Sequence, residues 1–253
     1  MYITSASNNI VKEILSLQNK KFRDELGLFS IEGKKQIDEI PAGWNIKYLI
    51  AVKDFENKIP NKNKVYFVPD TIFKKISSTV SPQGIMAVVE KKNFNINDII
   101  NIKDGLFVIL DCLQDPGNLG TIIRSSAAFG VNGIFISKNS TDVYSSKVVR
   151  SAMGAIFKVP IVTECDVEEI LKILKNKNIT VYSLDIAAQK YISETDFKNS
   201  SAIIIGNEAN GIEEKIINMA DERIKIKMVK NMDSLNASVA CSVALYEISK
   251  QKL

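Results

Sequence analysis

From Leu106 onward the chain repeats one pattern: a short, wholly apolar run, a polar turn, then a stretch with helical spacing. Leu106-Phe107-Val108-Ile109-Leu110 and Ala202-Ile203-Ile204-Ile205 show no polar alternation, so a strand made from either must be covered on both faces. Further strands are expected at 134–136, 159–162, 181–184 and 223–226. Helices are expected at 119–129, 145–153, 166–177, 213–220 and 236–250. Strict alternation of this kind builds a parallel sheet with helices on both faces.

The first 92 residues read as a smaller α/β unit. Asn8 or Asn9 can cap a helix that carries Ile10, Ile14 and Leu17 on one face. Strands follow at 27–33, 46–52, 65–68 and 85–89, with a helix at 34–40 stopped by Pro41. Residues 91–104 are rich in Asn and Ile and have no clear period. The expected division is a domain at 1–92, a linker at 93–104 and a domain at 105–253.

Composition narrows the chemistry. The chain has no histidine, which removes the usual general base and the Ser-His and Cys-His nucleophile pairs. Cys112, Cys165 and Cys241 are widely spaced, so neither a disulfide framework nor a metal centre is expected. The apolar runs are far too short to span a bilayer, and residues 1–17 lack a signal peptide's apolar stretch. A cytoplasmic protein with no membrane association is expected. Residues 1–95 hold 15 Lys and Arg against 10 Asp and Glu, while residues 96–253 hold 18 against 19. A basic first segment fits contact with a polyanion, although a solvated lysine surface has the same composition. Arg23, Arg124, Arg150 and Arg223 are the only arginines, and an arginine among so many lysines answers best to a need for its planar fork.

Three polar blocks stand where apolar strands run out. In Gln114-Asp115-Pro116-Gly117-Asn118-Leu119-Gly120, a Pro-Gly turn leads into a helix with Arg124 inside its start, an arrangement that suits an anion. An ordinary Asn118 cap and a surface Arg124 would read the same way. Gly206-Asn207-Glu208-Ala209-Asn210-Gly211 empties a buried strand into a polar loop, where Glu208 can meet a cation or cap the following helix. Ser234-Leu235-Asn236-Ala237-Ser238 precedes a helix that is apolar or small nearly all round, as a central core helix or a subunit contact would be. Neither a three-glycine dinucleotide fingerprint nor a Walker lysine is present.

Together these residues resemble the SpoU/TrmH family of RNA ribose 2′-O-methyltransferases, in the SPOUT superfamily. Asn118-Leu119-Gly120 to Arg124, Gly206-Asn207-Glu208 to Gly211, and Ile226, Met228 with Ser234 to Ala240 look like the family's three motifs in order. Phe29-Ser30-Ile31-Glu32-Gly33 and Ser81-Pro82-Gln83-Gly84-Ile85 are similar to its substrate-binding domain. The resemblance implies an α/β fold: a small L30e-like domain, then a trefoil-knotted SPOUT methyltransferase domain on a parallel sheet, acting as a homodimer through the knots. It implies S-adenosyl-L-methionine as methyl donor, held around Gly206, Asn207, Ile226, Met228, Leu235 and Ala237. It assigns Arg124 to activating the ribose, Asn118 and Ser234 to orienting it, Asn236 to fixing the loop, and Glu208 to holding Arg124 or a partner-chain group. Lys20, Lys21, Arg23, Lys34 and Arg150 are the candidate RNA contacts. The separate basic domain favours 23S ribosomal RNA as substrate, with tRNA, or a non-catalytic RNA-binding role, as the alternatives. The chain departs from the family at Lys227, usually Pro, at Lys230, usually Gly, and at Ser146, often Pro.

Overall fold

The computed structural model describes residues 1–56, 64–229 and 234–252. Lys230 lies outside them. The chain forms two compact units: Met1–Lys92 with Tyr144–Phe157, and Asn93–Val143 with Lys158–Leu253. The first contains α1 (Asn9–Ser16), α2 (Lys20–Leu26), β1 (Leu28–Glu32), α3 (Lys34–Asp38), β2 (Ile46–Ala51), β3 (Val65–Phe67), α4 (Asp70–Ile76) and β4 (Ile85–Glu90). The second begins with α5 (Ile96–Ile100), β5 (Leu106–Leu110), α6 (Pro116–Ala128) and β6 (Gly133–Ser137). The chain then returns to the first unit for α7 (Ser146–Ala152). The second unit resumes with β7 (Ile161–Cys165), α8 (Val167–Asn176), β8 (Thr180–Leu184), β9 (Lys190–Tyr191), β10 (Ser201–Ile205), α9 (Glu214–Met219), β11 (Glu222–Lys225) and α10 (Ala237–Lys252).

The first unit is built on a mixed sheet of order β1-β4-β2-β3, in which β4 runs antiparallel to both neighbours and β3 runs parallel to β2. Asn8 caps α1 by accepting from Ile10 N–H, and Val11, Ile14 and Leu17 turn into a core with Tyr48, Ile50, Ile72 and Phe73. The Tyr144–Phe157 segment joins this unit through aromatic contacts. Phe29 lies 4.8 Å from Tyr144, and Trp44 meets Phe157 edge-on at 4.9 Å. The expected domain at 105–253 included this segment, because periodicity records helices and strands but not which rings they meet.

The second unit carries a parallel sheet of order β7-β6-β5-β10-β8-β11-β9. Phe107, Ile109, Phe135, Leu171 and Ile204 lie in its core. The stretch expected as a linker instead forms α5, capped by Asn95, with Ile99 and Ile100 buried in the same core. A helix of five residues is too short to show a period. Among the described residues no helix is long and apolar enough to cross a membrane.

Candidate active site

β5 and β10 lie side by side at the middle of the sheet, and their successors leave in opposite directions, β6 to one side and β11 to the other. In an open α/β sheet the carboxyl ends of two such strands bound a crevice where ligands bind. Here the first two polar blocks form its two banks. The ladder runs one residue past the strands, with Asp111 N–H donating to Ile205 C=O at 2.9 Å.

The helix after β5 begins earlier than its sequence suggests. Asp115 is its cap, accepting from Asn118 N–H at 2.8 Å, and Pro116 occupies the first turn, where a missing N–H costs nothing. Asn118 therefore sits inside the helix, buried, with its amide turned to the opposite bank. Glu208 Oε1 accepts from Asn118 Nδ2 at 2.9 Å and from Asp115 N–H at 3.0 Å, and Oε2 accepts from Gln114 N–H at 3.1 Å. Glu208 thus crowns the start of α6 and does not cap the helix that follows it. Asn118 Oδ1 in turn accepts from Asn236 Nδ2 at 2.9 Å. Asn236 Oδ1 caps α10, accepting from Ser238 N–H at 2.9 Å, Ser238 Oγ at 2.7 Å and Val239 N–H at 3.3 Å. One chain of hydrogen bonds therefore joins the three blocks. Partial burial alone would raise the Glu208 carboxyl. The bonds from Asn118 and from the Asp115 and Gln114 N–H groups outweigh it and hold the group below the usual carboxylate range.

The loop after β10 is folded on itself. Asn207 and Gly211 exchange two backbone bonds of 2.9 Å, and Asn207 Oδ1 accepts from Ala209 and Asn210 N–H. Asn207 Nδ2 donates to Cys112 C=O at 2.8 Å, which pins this loop to the one after β5. A Cβ on Gly206 would overlap the Gly211 and Ile212 backbone, so the tight fold requires glycine there.

Beside this loop lies a cavity of about 600 Å³, the size of a small-molecule site. Its walls include Gly206, Asn207, Ile226, Met228, Leu235 and Ala237, together with Glu208 and Ser234. All six candidate donor contacts thus meet at one cavity. Sequence reasoning missed other parts of the lining: Leu184 to Ala187, Glu214 and Ile217 of α9, and Arg223 and Lys225 of β11. The available signal was Asp185, a polar residue ending an apolar run like the three blocks. Arg223 is held by Glu214 at 3.1 Å and Asn218 at 2.8 Å. Lys225 and Lys227 both lie over the Tyr191 ring, at 5.2 and 5.9 Å, so the lysine that replaces the family's proline is seated on an aromatic face.

Arg124 stands apart from the cavity lining. It is exposed on α6 with Thr121 and Ala128, and among the described residues it has no hydrogen-bond or ion-pair partner. The expected grip of Glu208 on it is not formed, because six helical residues turn Arg124 roughly 240° away from Asn118. Among the basic candidates, Arg23 requires correction. It is buried, and its Nη1 donates to Leu17 C=O at 2.6 Å, so it serves the fold and cannot reach a phosphate. Lys20 is exposed. Lys21 pairs with Glu25 at 3.8 Å and Lys34 with Asp38 at 2.7 Å. Arg150 is exposed in the last turn of α7, and Ser146, another departure from the family, is the first residue of that helix.

Residues 105–246 match the SpoU rRNA Methylase family, and residues 8–87 match the MRM3-like substrate binding domain. The 23S rRNA (guanosine(2553)-2'-O)-methyltransferase RlmP of Bacillus subtilis is 29% identical over 250 residues, covering 97% of this chain and 98% of that protein. The AdoMet-bound rRNA methyltransferase from Sinorhizobium meliloti superposes with a TM-score of 0.91 at 30% identity, covering 100% of this chain and 98% of that one. The SpoU methyltransferase AviRb from Streptomyces viridochromogenes, in complex with AdoMet, gives 0.87 at 25% identity over 96% of this chain and 98% of its own. With its motif residues gathered at one sheet edge and its first unit matched as well, this chain belongs to the SpoU rRNA methylase family.

Proposed function

We propose that this protein transfers a methyl group from S-adenosyl-L-methionine to a ribose 2′-hydroxyl of ribosomal RNA, with 23S rRNA as the substrate. The observation that carries the reading is the cavity at the ends of β10 and β11, lined by the residues of two polar blocks and tied to the third through Asn118. The cavity fits the donor. Ile205, Ile212, Ile226, Leu235 and Ala240 offer apolar walls for a flat ring system. The tight backbone around Gly206 offers peptide groups, and Asp185, Glu208 and Glu214 among the lining residues would supply negative charge to a cationic donor.

When bound, S-adenosylmethionine supplies an electrophilic methyl on that sulfur. The protein's part is alignment and charge. Glu208 and Asn236 clamp Asn118 from both sides, so its amide is already oriented before RNA arrives. Ser234, exposed at the cavity rim, orients the ribose. Arginine is a constant cation in proteins, which suits Arg124 to gripping the adjacent phosphate and stabilising charge on the 2′-oxygen as it takes the methyl and gives its proton to water.

The same reading includes a homodimer, a knotted C-terminal segment and a cytoplasmic location. Support for the dimer comes from α10, where Val239, Val243 and Tyr246 expose apolar surface on a helix that packs against α6 beside Arg124. A second copy covering that face would take Arg124 out of open solvent. Support for the knot is the path of the chain, which crosses β8 to form β11 and returns through Ser234 to α10 against α6.

The test is to incubate the protein with donor and either unmodified 23S rRNA or tRNA, then map positions that resist alkaline hydrolysis. One donor-dependent resistant position in 23S rRNA is expected. Resistance confined to tRNA would move the substrate, and RNA binding without donor affinity would favour the non-catalytic alternative.

A further inference from the structure

Glu32, at the end of β1, organises a loop in the first unit. Its Oε2 accepts from Ser77 Oγ at 2.7 Å, while Oε1 accepts from Gln83 N–H at 2.8 Å and Thr79 Oγ1 at 3.3 Å. The loop at 77–83 thus closes over a small recess of about 40 Å³. The recess opens into a surface depression of about 400 Å³, and the two share Gln18, Ser78, Thr79 and Ser146.

Three of the polar side chains that line the recess have no partner among the described residues. Gln36 is only 8% exposed, yet among the described residues its side-chain amide has no hydrogen-bond partner. The Gln83 amide and the Arg150 guanidinium also line the recess without one. The Gln83 amide lies over Gly33, at φ 106°, where any Cβ would overlap it. Polar groups on largely buried residues are nearly always bonded, so an amide left over at a cavity wall is available to a partner outside the chain.

We infer that this recess reads the edge of one unpaired RNA base. Two amides and a guanidinium converge on it, and these are the side chains that pair with the hydrogen-bonding edges of adenine and guanine. The recess admits a polar edge but not a nucleotide. The base plane lies in the depression, where Val80 stands fully exposed at the loop tip as an apolar contact. An unpaired base is required, because duplex RNA buries these edges. The basic balance of this half of the chain and its match to a substrate-binding domain favour RNA over a peptide as occupant. Four of the lining residues, Tyr144, Ser146, Val149 and Arg150, come from the excursion at 144–157. The inference rests on RNA being the substrate and adds where one of its bases is read.

The experiment uses the full chain and in-vitro-transcribed 23S rRNA, measuring RNA Kd, donor Kd, methyl transfer and Tm for the wild type, Gln36→Leu and Arg150→Ala. Both variants are expected to bind RNA about tenfold more weakly with donor Kd unchanged. Gln36→Leu is expected to keep or raise Tm, since it removes an unpartnered amide, and exposed Arg150→Ala guards against any failure of the first variant to fold. If the wild type methylates RNA and both variants bind it within twofold of wild type, the recess holds only water and the inference is overturned while the enzyme reading stands. If the variants show the predicted binding losses but the wild type transfers no methyl group, the recess stands and the enzyme reading falls. If the wild type binds no RNA, both fall.

Discussion

The two units spend their polar side chains in opposite ways. At the sheet edge of the second, Glu208, Asn118 and Asn236 are bonded to one another and to helix starts. In the recess of the first, the side chains of Gln36, Gln83 and Arg150 have no hydrogen-bond partner among the described residues. A network that satisfies itself is rigid before any ligand arrives, and chemistry that depends on alignment benefits from that rigidity. A set of unspent donors and acceptors gains most when a ligand supplies the missing bonds, which is how specificity for one hydrogen-bonding edge arises. Placement follows role: the preformed network lies at strand ends in the middle of a parallel sheet, and the open set lines a recess at a surface loop.

Mutations can break this contrast. Arg124 lies outside the network and outside the cavity lining, so Arg124→Ala should lower methyl transfer by about 10²–10³-fold while donor Kd, measured by calorimetry, stays put. Retained turnover would remove Arg124 from the mechanism. Gly206→Val, by contrast, should abolish donor binding and lower stability by roughly 3 kcal/mol in urea melts, because its side chain has no space beside Gly211. Glu208→Ala should cost about 1–2 kcal/mol by releasing Asn118 and two N–H groups at the start of α6. A double-mutant cycle over Asn118→Ala and Asn236→Ala should give a coupling of about 0.5–1.5 kcal/mol, whereas independent sites would add. The smallest effect concerns pH. Folding holds the Glu208 carboxyl below its unfolded value of about 4.3, so its contribution is whole above that pH and fades as pH falls through the lowered folded value. Acid unfolding of Glu208→Gln should therefore show a shallower fall in stability below that pH than wild type.

Some of this was legible from residue order alone. Leu106 to Leu110 and Ala202 to Ile205 declared themselves as fully covered strands because no polar residue interrupts them. The first two polar blocks declared themselves by ending such strands, and the second and third line the cavity. Their partners stayed hidden, since Glu208 reaches Asn118 across 90 residues and Asn118 reaches Asn236 across 118. Those contacts exist only because β10 lies beside β5, and local patterning says nothing about strand order. Arg23 was misjudged for a related reason. Lys20-Lys21-Phe22-Arg23 reads as a basic surface until α2 turns one of its members inward to the Leu17 carbonyl.

The position of β10 also bears on how the protein is made. It fills the slot between β5 and β8, yet it leaves the ribosome after both. Until residue 205 has been synthesised, those two strands each present a bare apolar edge across a gap one strand wide, about 9–10 Å from neighbour to neighbour. Local pairing cannot close that gap early, and the register of 106 against 201 carries a large loop-closure cost. Until its centre arrives, the nascent second unit exposes unpaired strand edges of the kind that promote aggregation. A chain halted after β8 should be degraded or aggregate even though most of its strands are already present.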